Sequence, residues 1–246
     1  QHTGPMQALF VSDLHLTEEQ PETTAAFLAF LAGPARGVPA LYILGDLFEY
    51  WAGDDDGDAP LNRRIAEALH SLSASGSAIH FIAGNRDFLL GEAYAARAGM
   101  TLLPDPCPLR LGSVDVLLSH GDALCTDDLA YQAYRRQVRD PAWQAAFLAR
   151  PLAERKAFID SLRSRSEQAK REKEMAIMDV NRSAVEALLR EHAYPTLIHG
   201  HTHRPARHEH LVDGRRCERW VLADWHGTAP YLAFDGERFS THELIP

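Results

Sequence analysis

Ala8-Leu9-Phe10-Val11-Ser12-Asp13-Leu14-His15 runs from four apolar residues straight into a polar cluster. The same pattern recurs along the chain. Ala40 to Leu44 leads into Gly45-Asp46, and Ile79 to Ala83 leads into Gly84-Asn85-Arg86-Asp87. Val114 to Leu118 leads into Ser119-His120-Gly121-Asp122, and Thr196 to Ile198 leads into His199-Gly200-His201-Thr202-His203. Short apolar runs bounded by glycine and polar residues predict strands buried on both faces. Helical patterns lie between them. Phe27, Phe30 and Leu31 share one helical face ahead of Gly33-Pro34, and Leu61, Ile65, Leu69 and Leu72 repeat at near-helical spacing ahead of Gly76. Alternating strands and helices predict an α/β fold, with the polar clusters at the C-terminal strand ends where such sheets bind ligands.

The composition agrees. The chain has 246 residues, of which 46% are hydrophobic and 24% charged, which is ordinary globular usage and excludes a disordered chain. No run approaches eighteen apolar residues, so a transmembrane helix is not expected, and no secretory signal pattern opens the chain. Gln1 to Pro5 read as the remnant of a tag or protease site ahead of a natural start at Met6. Cys107, Cys125 and Cys217 are odd in number and form no C-x-x-C pair, which fits a reducing compartment. A net charge of −9 argues against nonspecific nucleic-acid binding.

Residues 126–192 differ from the rest. They contain no strand-like run, read as several helices broken at Pro141 and Pro151, and carry 13 Lys and Arg against 11 Asp and Glu. This predicts a helical insertion, or lid, carried by a body formed from residues 6–125 and 193–246.

The five clusters contain Asp13, His15, Asp46, Asn85, His120, His201 and His203, all oxygen or imidazole donors and none a thiolate. That mixture suits Mn²⁺, Fe²⁺ or Zn²⁺. Taken singly, D-x-H means little and G-D is most often a turn. Five such clusters at strand ends point jointly to a metal site. Seven donors exceed one tetrahedral ion but suit two ions about 3.5–4 Å apart sharing a carboxylate, the usual clamp for phosphoryl displacement.

The order D-x-H, G-D, G-N-R-D, S-H-G-D, G-H-T-H resembles the calcineurin-like metallophosphoesterase superfamily over the whole body. The resemblance implies a two-sheet β-sandwich flanked by helices. It implies one ion on Asp13, His15, Asp46 and His203, the other on Asp46, Asn85, His120 and His201, and Asp46 as the bridge. Many members carry His after the motif Asn; here the position is Arg86. An arginine keeps its charge and cannot readily act as a general acid, but its fork can clamp phosphoryl oxygens. With Asp46, Arg86 is therefore the expected catalytic residue; its structural alternative is a surface ion pair with Asp87.

Val11-Ser12-Asp13-Leu14-His15-Leu16, Gly84-Asn85-Arg86-Asp87-Phe88 and Ala176-Ile177-Met178-Asp179-Val180-Asn181 narrow the resemblance to the UDP-2,3-diacylglucosamine diphosphatases of bacterial lipid A biosynthesis. That family implies two Mn²⁺ per chain and metal-assisted in-line hydrolysis without a covalent intermediate. The products would be UMP and 2,3-diacylglucosamine 1-phosphate. It also implies peripheral attachment to the cytoplasmic face of the inner membrane. Carried over by position, substrate contacts fall on Asn85, Arg86, Asp128, Ser166, Lys173 and His201. Lys170 stands where that family carries Asn, and a lysine there would still reach a phosphate or sugar oxygen. Ser166, Lys170 and Lys173 are i,i+4 and i,i+3 neighbours, a spacing that suits a shared contact face or, equally, a solvated one.

The insertion also carries Trp143, Phe147, Leu148, Leu152, Phe158, Ile159 and Leu162. These suit either packing against the body or an apolar chamber for two acyl chains. The rival readings are a metallophosphoesterase acting on a soluble phosphodiester or nucleotide, a nuclease, which the negative charge disfavours, and a non-catalytic scaffold, which would have lost ligands.

Overall fold

The computed structural model describes residues 5–172 and 179–246, with the backbone alone for residue 163 and residues 165–172. The first half runs β1 (Ala8–Val11), α1 (Pro21–Ala32), β2 (Ala40–Leu44), α2 (Pro60–Ala74), β3 (Ala78–Ile82), α3 (Glu92–Ala98), β4 (Met100–Leu103), β5 (Cys107–Leu111) and β6 (Val114–Leu118). Among the described residues, four helices follow: α4 (Leu129–Val138), α5 (Pro141–Leu148), α6 (Leu152–Glu172) and α7 (Arg182–Glu191). The chain closes with β7 (Thr196–His199), β8 (Ala206–Val212), β9 (Arg215–Val221), β10 (Ala229–Phe234) and β11 (Phe239–Leu244).

The strands form two sheets, ordered β11-β10-β1-β2-β3-β4 and β5-β6-β7-β9-β8. β1 to β4 pair in parallel, as do β6, β7 and β9, while the outer hairpins are antiparallel. Side chains alternate across each strand, and this builds the layers. Ala8 and Phe10 face Val116, Leu118 and Ile198 between the sheets. Leu9 and Val11 face the other way, onto the Phe27 and Phe30 side of α1 and the Ile65 and Leu69 side of α2. Leu117 and Leu197 meet Val185 and Leu189 of α7 on the far side. The result is helix, sheet, sheet, helix: the two-sheet sandwich with flanking helices that the family resemblance implies.

The six strands outside the five apolar runs give weaker signals. β5 alternates Leu109 and Leu111 with Pro108 and Arg110, and β8 exposes Ala206, Arg207, His208 and Glu209. Edge strands with one wet face lack a continuous apolar run.

Pro141 sits in the first turn of α5, where its missing N–H costs nothing, and Pro151 directly precedes α6. The two prolines thus begin helices rather than merely interrupt one. Helix α7 packs on the second sheet, whereas Trp143 and Phe147 of α5 and Phe158 and Ile159 of α6 join the core cluster of the first sheet. No helix among the described residues is long and apolar enough to cross a membrane.

Candidate metal centre

The C-terminal ends of β1, β2, β3, β6 and β7 open at one edge of the sandwich, and their loops continue the sheet bonding. Asp13 N donates to Gly45 O at 3.0 Å, His15 N to Asp46 O at 2.9 Å, and Gly200 N to His120 O at 2.9 Å. This stitching brings the sequence-distant clusters together.

Two groups of donors result. Asp13, His15 and His203 form one, and Asp46, His120 and His201 the other; within each, the donor atoms lie within 4.8 Å of one another. Asp46 also faces the first group, its Oδ2 standing 3.7 Å from His15 Nε2 and 3.5 Å from His120 Nε2. Asn85 joins the second, its Oδ1 lying 2.8 Å from His120 Nε2 and 3.0 Å from His201 Nδ1.

The donor chemistry fits divalent cations. Asp13 Oδ1 and His15 Nε2 are buried without a hydrogen-bond partner. His120 Nδ1 must donate to the Leu44 carbonyl at 2.7 Å, because that oxygen can only accept. In the neutral ring, the form that binds a cation, Nε2 is then a lone pair facing the oxygens of Asp46 and Asn85. A proton could fill one such gap; a cation satisfies several at once. Burial alone would lift both aspartates. His15 and His203 bring Asp13 well below the usual carboxylate range, and His120 brings Asp46 down to about 2. Burial would lower His15 and His120, but Asp13 and Asp46 raise them.

The backbone is strained where these donors sit. Asp13 (φ 55°), His15 (49°), Asp46 (55°), His201 (74°) and His203 (56°) all occupy the left-handed region. A Cβ at Gly84 would collide with the Asp46 carboxylate, and one at Gly200 with Ser12 and Asp13, so glycine is required at both approaches.

Several supporting residues carry no spacing signal. Ser12 Oγ donates to Asp13 Oδ2 at 2.6 Å. Asp224 Oδ2 stands 3.3 Å from His203 Nδ1, and Glu49 Oε2 stands 3.7 Å from His15 Nδ1. Asp87 is fully buried and accepts from the backbone N–H groups of Asp46, Leu47, Phe48 and Gly84. It is therefore not the surface partner of Arg86. Arg86 instead lies with Nη1 3.4 Å from Glu49 Oε1, its backbone N–H donating to Asp46 Oδ1 at 2.9 Å.

Helix α4 docks over this edge. Tyr131 OH and Arg135 Nε donate to Asp122 Oδ2 at 2.6 and 3.0 Å. Arg139 donates to the carbonyls of Ala83 and Gly84 at 3.2 and 3.1 Å, and the Tyr131 ring lies 5.7 Å from the His201 imidazole. Asp128 caps α4, accepting from Tyr131 N at 3.1 Å. Ser166 and Lys170 fall on the backbone of α6 with their side chains outside the described residues, and Lys173 lies wholly outside them, as do Ala176, Ile177 and Met178.

Most of the insertion's aromatic residues pack inward. Phe147 is buried, and Trp143, Phe158 and Ile159 pack against the same core cluster as α1 and α2. Trp143 stacks on Phe147 at 5.0 Å. A cavity of about 200 Å³ remains beside them, walled also by Gln137 and Arg150.

The family model for calcineurin-like phosphoesterases matches residues 6–205. A UDP-2,3-diacylglucosamine hydrolase of Aromatoleum aromaticum is 65% identical over 94% of both chains. Proteins of the same name from Stenotrophomonas maltophilia and Escherichia fergusonii are 50% identical over 97% of this chain and 99% of theirs, and 52% identical over 90% and 92%.

Proposed function

The chain belongs to the calcineurin-like phosphoesterase family, and from that premise we propose that it hydrolyses the pyrophosphate bond of UDP-2,3-diacylglucosamine in lipid A biosynthesis. UMP and 2,3-diacylglucosamine 1-phosphate are the products. The observation that carries the substrate is 50–65% identity to hydrolases of that name over nearly the full length of both partners.

Asp13, His15, Asp46 and His203 would hold one cation, and Asp46, Asn85, His120 and His201 the other, with Asp46 shared. Two divalent cations bound there, Mn²⁺ in this reading, supply Lewis acidity that activates water and takes up charge on the phosphoryl oxygens. The chain's own groups do the rest. Arg86 lies beside the Asp46 turn, where its fork can grip the phosphoryl oxygens as charge shifts in the transition state. Asn85, His201, Asp128, Ser166, Lys170 and Lys173 hold the phosphates and sugar. Water adds to the α-phosphorus, the bond to the bridging oxygen breaks, and the sugar leaves as its 1-phosphate. A phosphate leaving group has little need of a general acid, which accords with arginine at position 86.

The lid, within residues 126–192, supplies α4 to α6 as walls of an acyl chamber, with the cavity beside Trp143, Phe147 and Phe158 as its described part. The enzyme acts peripherally at the cytoplasmic face of the inner membrane, where this lipid resides.

Turnover of UDP-2,3-diacylglucosamine in isotopically labelled water tests this. Chelator-treated protein should be inactive, Mn²⁺ should restore it, and the label should enter UMP. Failure on this substrate by Mn²⁺-loaded protein that cleaves a soluble nucleotide would favour the rival phosphoesterase reading.

A further inference from the structure

Arg155, in the first turn of α6, is only 3% exposed. Its donors reach two separate parts of the chain. Nε donates to Arg150 O at 2.9 Å, across the α5–α6 corner. Nη1 donates to Ala52 O at 2.6 Å and Asp55 Oδ1 at 2.9 Å, and Nη2 donates to Asp55 Oδ2. The receiving segment is itself pinned. Asp54 accepts from Trp51 Nε1, Gly91 N and Tyr94 N, each at 3.0 Å. At Gly53, with φ 142°, a Cβ would collide with the Arg155 guanidinium. The body thus presents a shaped socket, and one arginine of the lid fills it.

We propose that Arg155 is a positioning residue that fixes the shape of the acyl chamber by locking the α5–α6 corner onto residues 52–55. This rests on the diacylated-substrate reading above. The route is short. Arg150, whose carbonyl receives Nε, is a wall of the cavity, with its guanidinium 5.7 Å from the Phe147 ring centroid. Phe158 lies one turn beyond Arg155 on the same helical side and meets Phe147 at 5.4 Å and Trp143 at 6.5 Å. A shift of the arginine therefore moves two walls together. Its bonding partners are Ala52, Asp55 and Arg150, none of them in the metal centre, so the chemistry should be spared. A neighbouring pair, Lys156 with Asp56 at 3.0 Å, is more exposed and lacks the backbone bonds.

The test compares Arg155→Met, Arg155→Lys and Asp55→Asn with Lys156→Ala as control, all Mn²⁺-loaded. Each is assayed on UDP-2,3-diacylglucosamine and on bis(p-nitrophenyl) phosphate. Arg155→Met should raise KM for the diacylated substrate roughly 10- to 100-fold, as misplacement remote from the reacting atoms can do. The small diester should be cleaved as by the wild type. Arg155→Lys, which keeps the charge without the fork, should recover part, and Lys156→Ala should match the wild type. Amide exchange should quicken over residues 141–162 and not in the sheets. If Arg155→Met does not fold, Asp55→Asn carries the same comparison. Equal loss on both substrates, or an unchanged KM for the lipid with unchanged exchange, would overturn the proposal. Wild-type failure on the lipid would overturn the substrate reading instead, and exchange over 141–162 would then decide the socket alone.

Discussion

Asp87→Asn separates the scaffold of the metal centre from its ligands. The two carboxylate oxygens accept four backbone bonds: Oδ1 from Asp46 at 3.1 Å and Gly84 at 2.8 Å, Oδ2 from Leu47 at 2.8 Å and Phe48 at 3.3 Å. Asparagine keeps the shape but turns one oxygen into an NH₂ group. Whichever way the amide sits, two N–H groups lose an acceptor and face a donor. Hydrogen bonds to a charged group contribute about 1.5–3 kcal/mol each, so losing two comes to about 3–6 kcal/mol. That is a large part of the roughly 5–15 kcal/mol that holds an ordinary domain.

The loss falls on the turn that holds Asp46 at φ 55°, a conformation costing about 1–3 kcal/mol that relaxes once unsupported. Asp46 would then leave its place between His15 and His120. Burial and the Asp46 carboxylate push Asp87 up to about 6, so the assays belong near pH 8, where both residues are ionised. Urea unfolding with chelator present reads the stability, and calorimetric titration with Mn²⁺ reads the affinity. A lower urea midpoint and affinity weaker by about 10- to 100-fold are expected, as for other residues that orient metal ligands. A variant that unfolds at the wild-type midpoint and binds two Mn²⁺ with wild-type affinity would refute the reasoning.

Asp46→Ala should lower metal content at both positions and abolish turnover more fully than His203→Ala; two ions retained in elemental analysis would remove Asp46 as the bridge. Arg86→Ala should keep its metals and lose about 10²–10³ in kcat, with Arg86→Lys recovering part; near-normal kinetics at saturating Mn²⁺ would reduce Arg86 to a partner of Glu49. His199 gives the pH dependence. Burial, with Arg219 beside it, holds the ring neutral and drives its pKa from 6.5 to about 3. Its contribution is complete above about 6.5 and is lost as pH falls toward 3, at no more than about 1.4 kcal/mol per pH unit. His199→Gln should therefore flatten the dependence of the urea midpoint between about pH 7 and 5, and an unchanged slope would contradict this.

The sequence made legible what burial writes continuously. β1, β2, β3, β6 and β7 are covered on both faces, so they read as apolar runs, and the clusters at their ends mark where each chain segment emerges. β8 lies at a sheet edge beside β9, and Arg207 pairs with Glu209 along β8 and with Glu218 across to β9 in place of an apolar stripe. The fold brings all seven cluster residues to one edge. The supporting groups were not legible, because they act across sequence distance. Asp224 reaches His203 from the β9–β10 connection, and Glu49 reaches both His15 and Arg86. Asp87 reads as a neighbour for Arg86 only while the turn is imagined flat. In the fold the two side chains diverge, one under the Asp46 turn and the other toward Glu49.

The divergence has a physical reason that ties the site together. Five of the seven cluster residues hold left-handed backbone, which non-glycine residues avoid, and such strain persists only where the surroundings over-determine it. Here those surroundings can be named. Asp87 ties down three consecutive amides at and after Asp46. Ser12 and the His201 amide fix Asp13 Oδ2 at 2.6 and 2.9 Å. Gly84 and Gly200 remove the side chains that would block the approach. These contacts orient lone pairs toward shared points while leaving Asp13 Oδ1 and His15 Nε2 without a hydrogen bond. A fold relaxed for stability alone would satisfy those atoms and release the turns. Their retention argues that the arrangement is held for a cation, and that removing a support such as Asp87 should damage metal binding without touching a ligand.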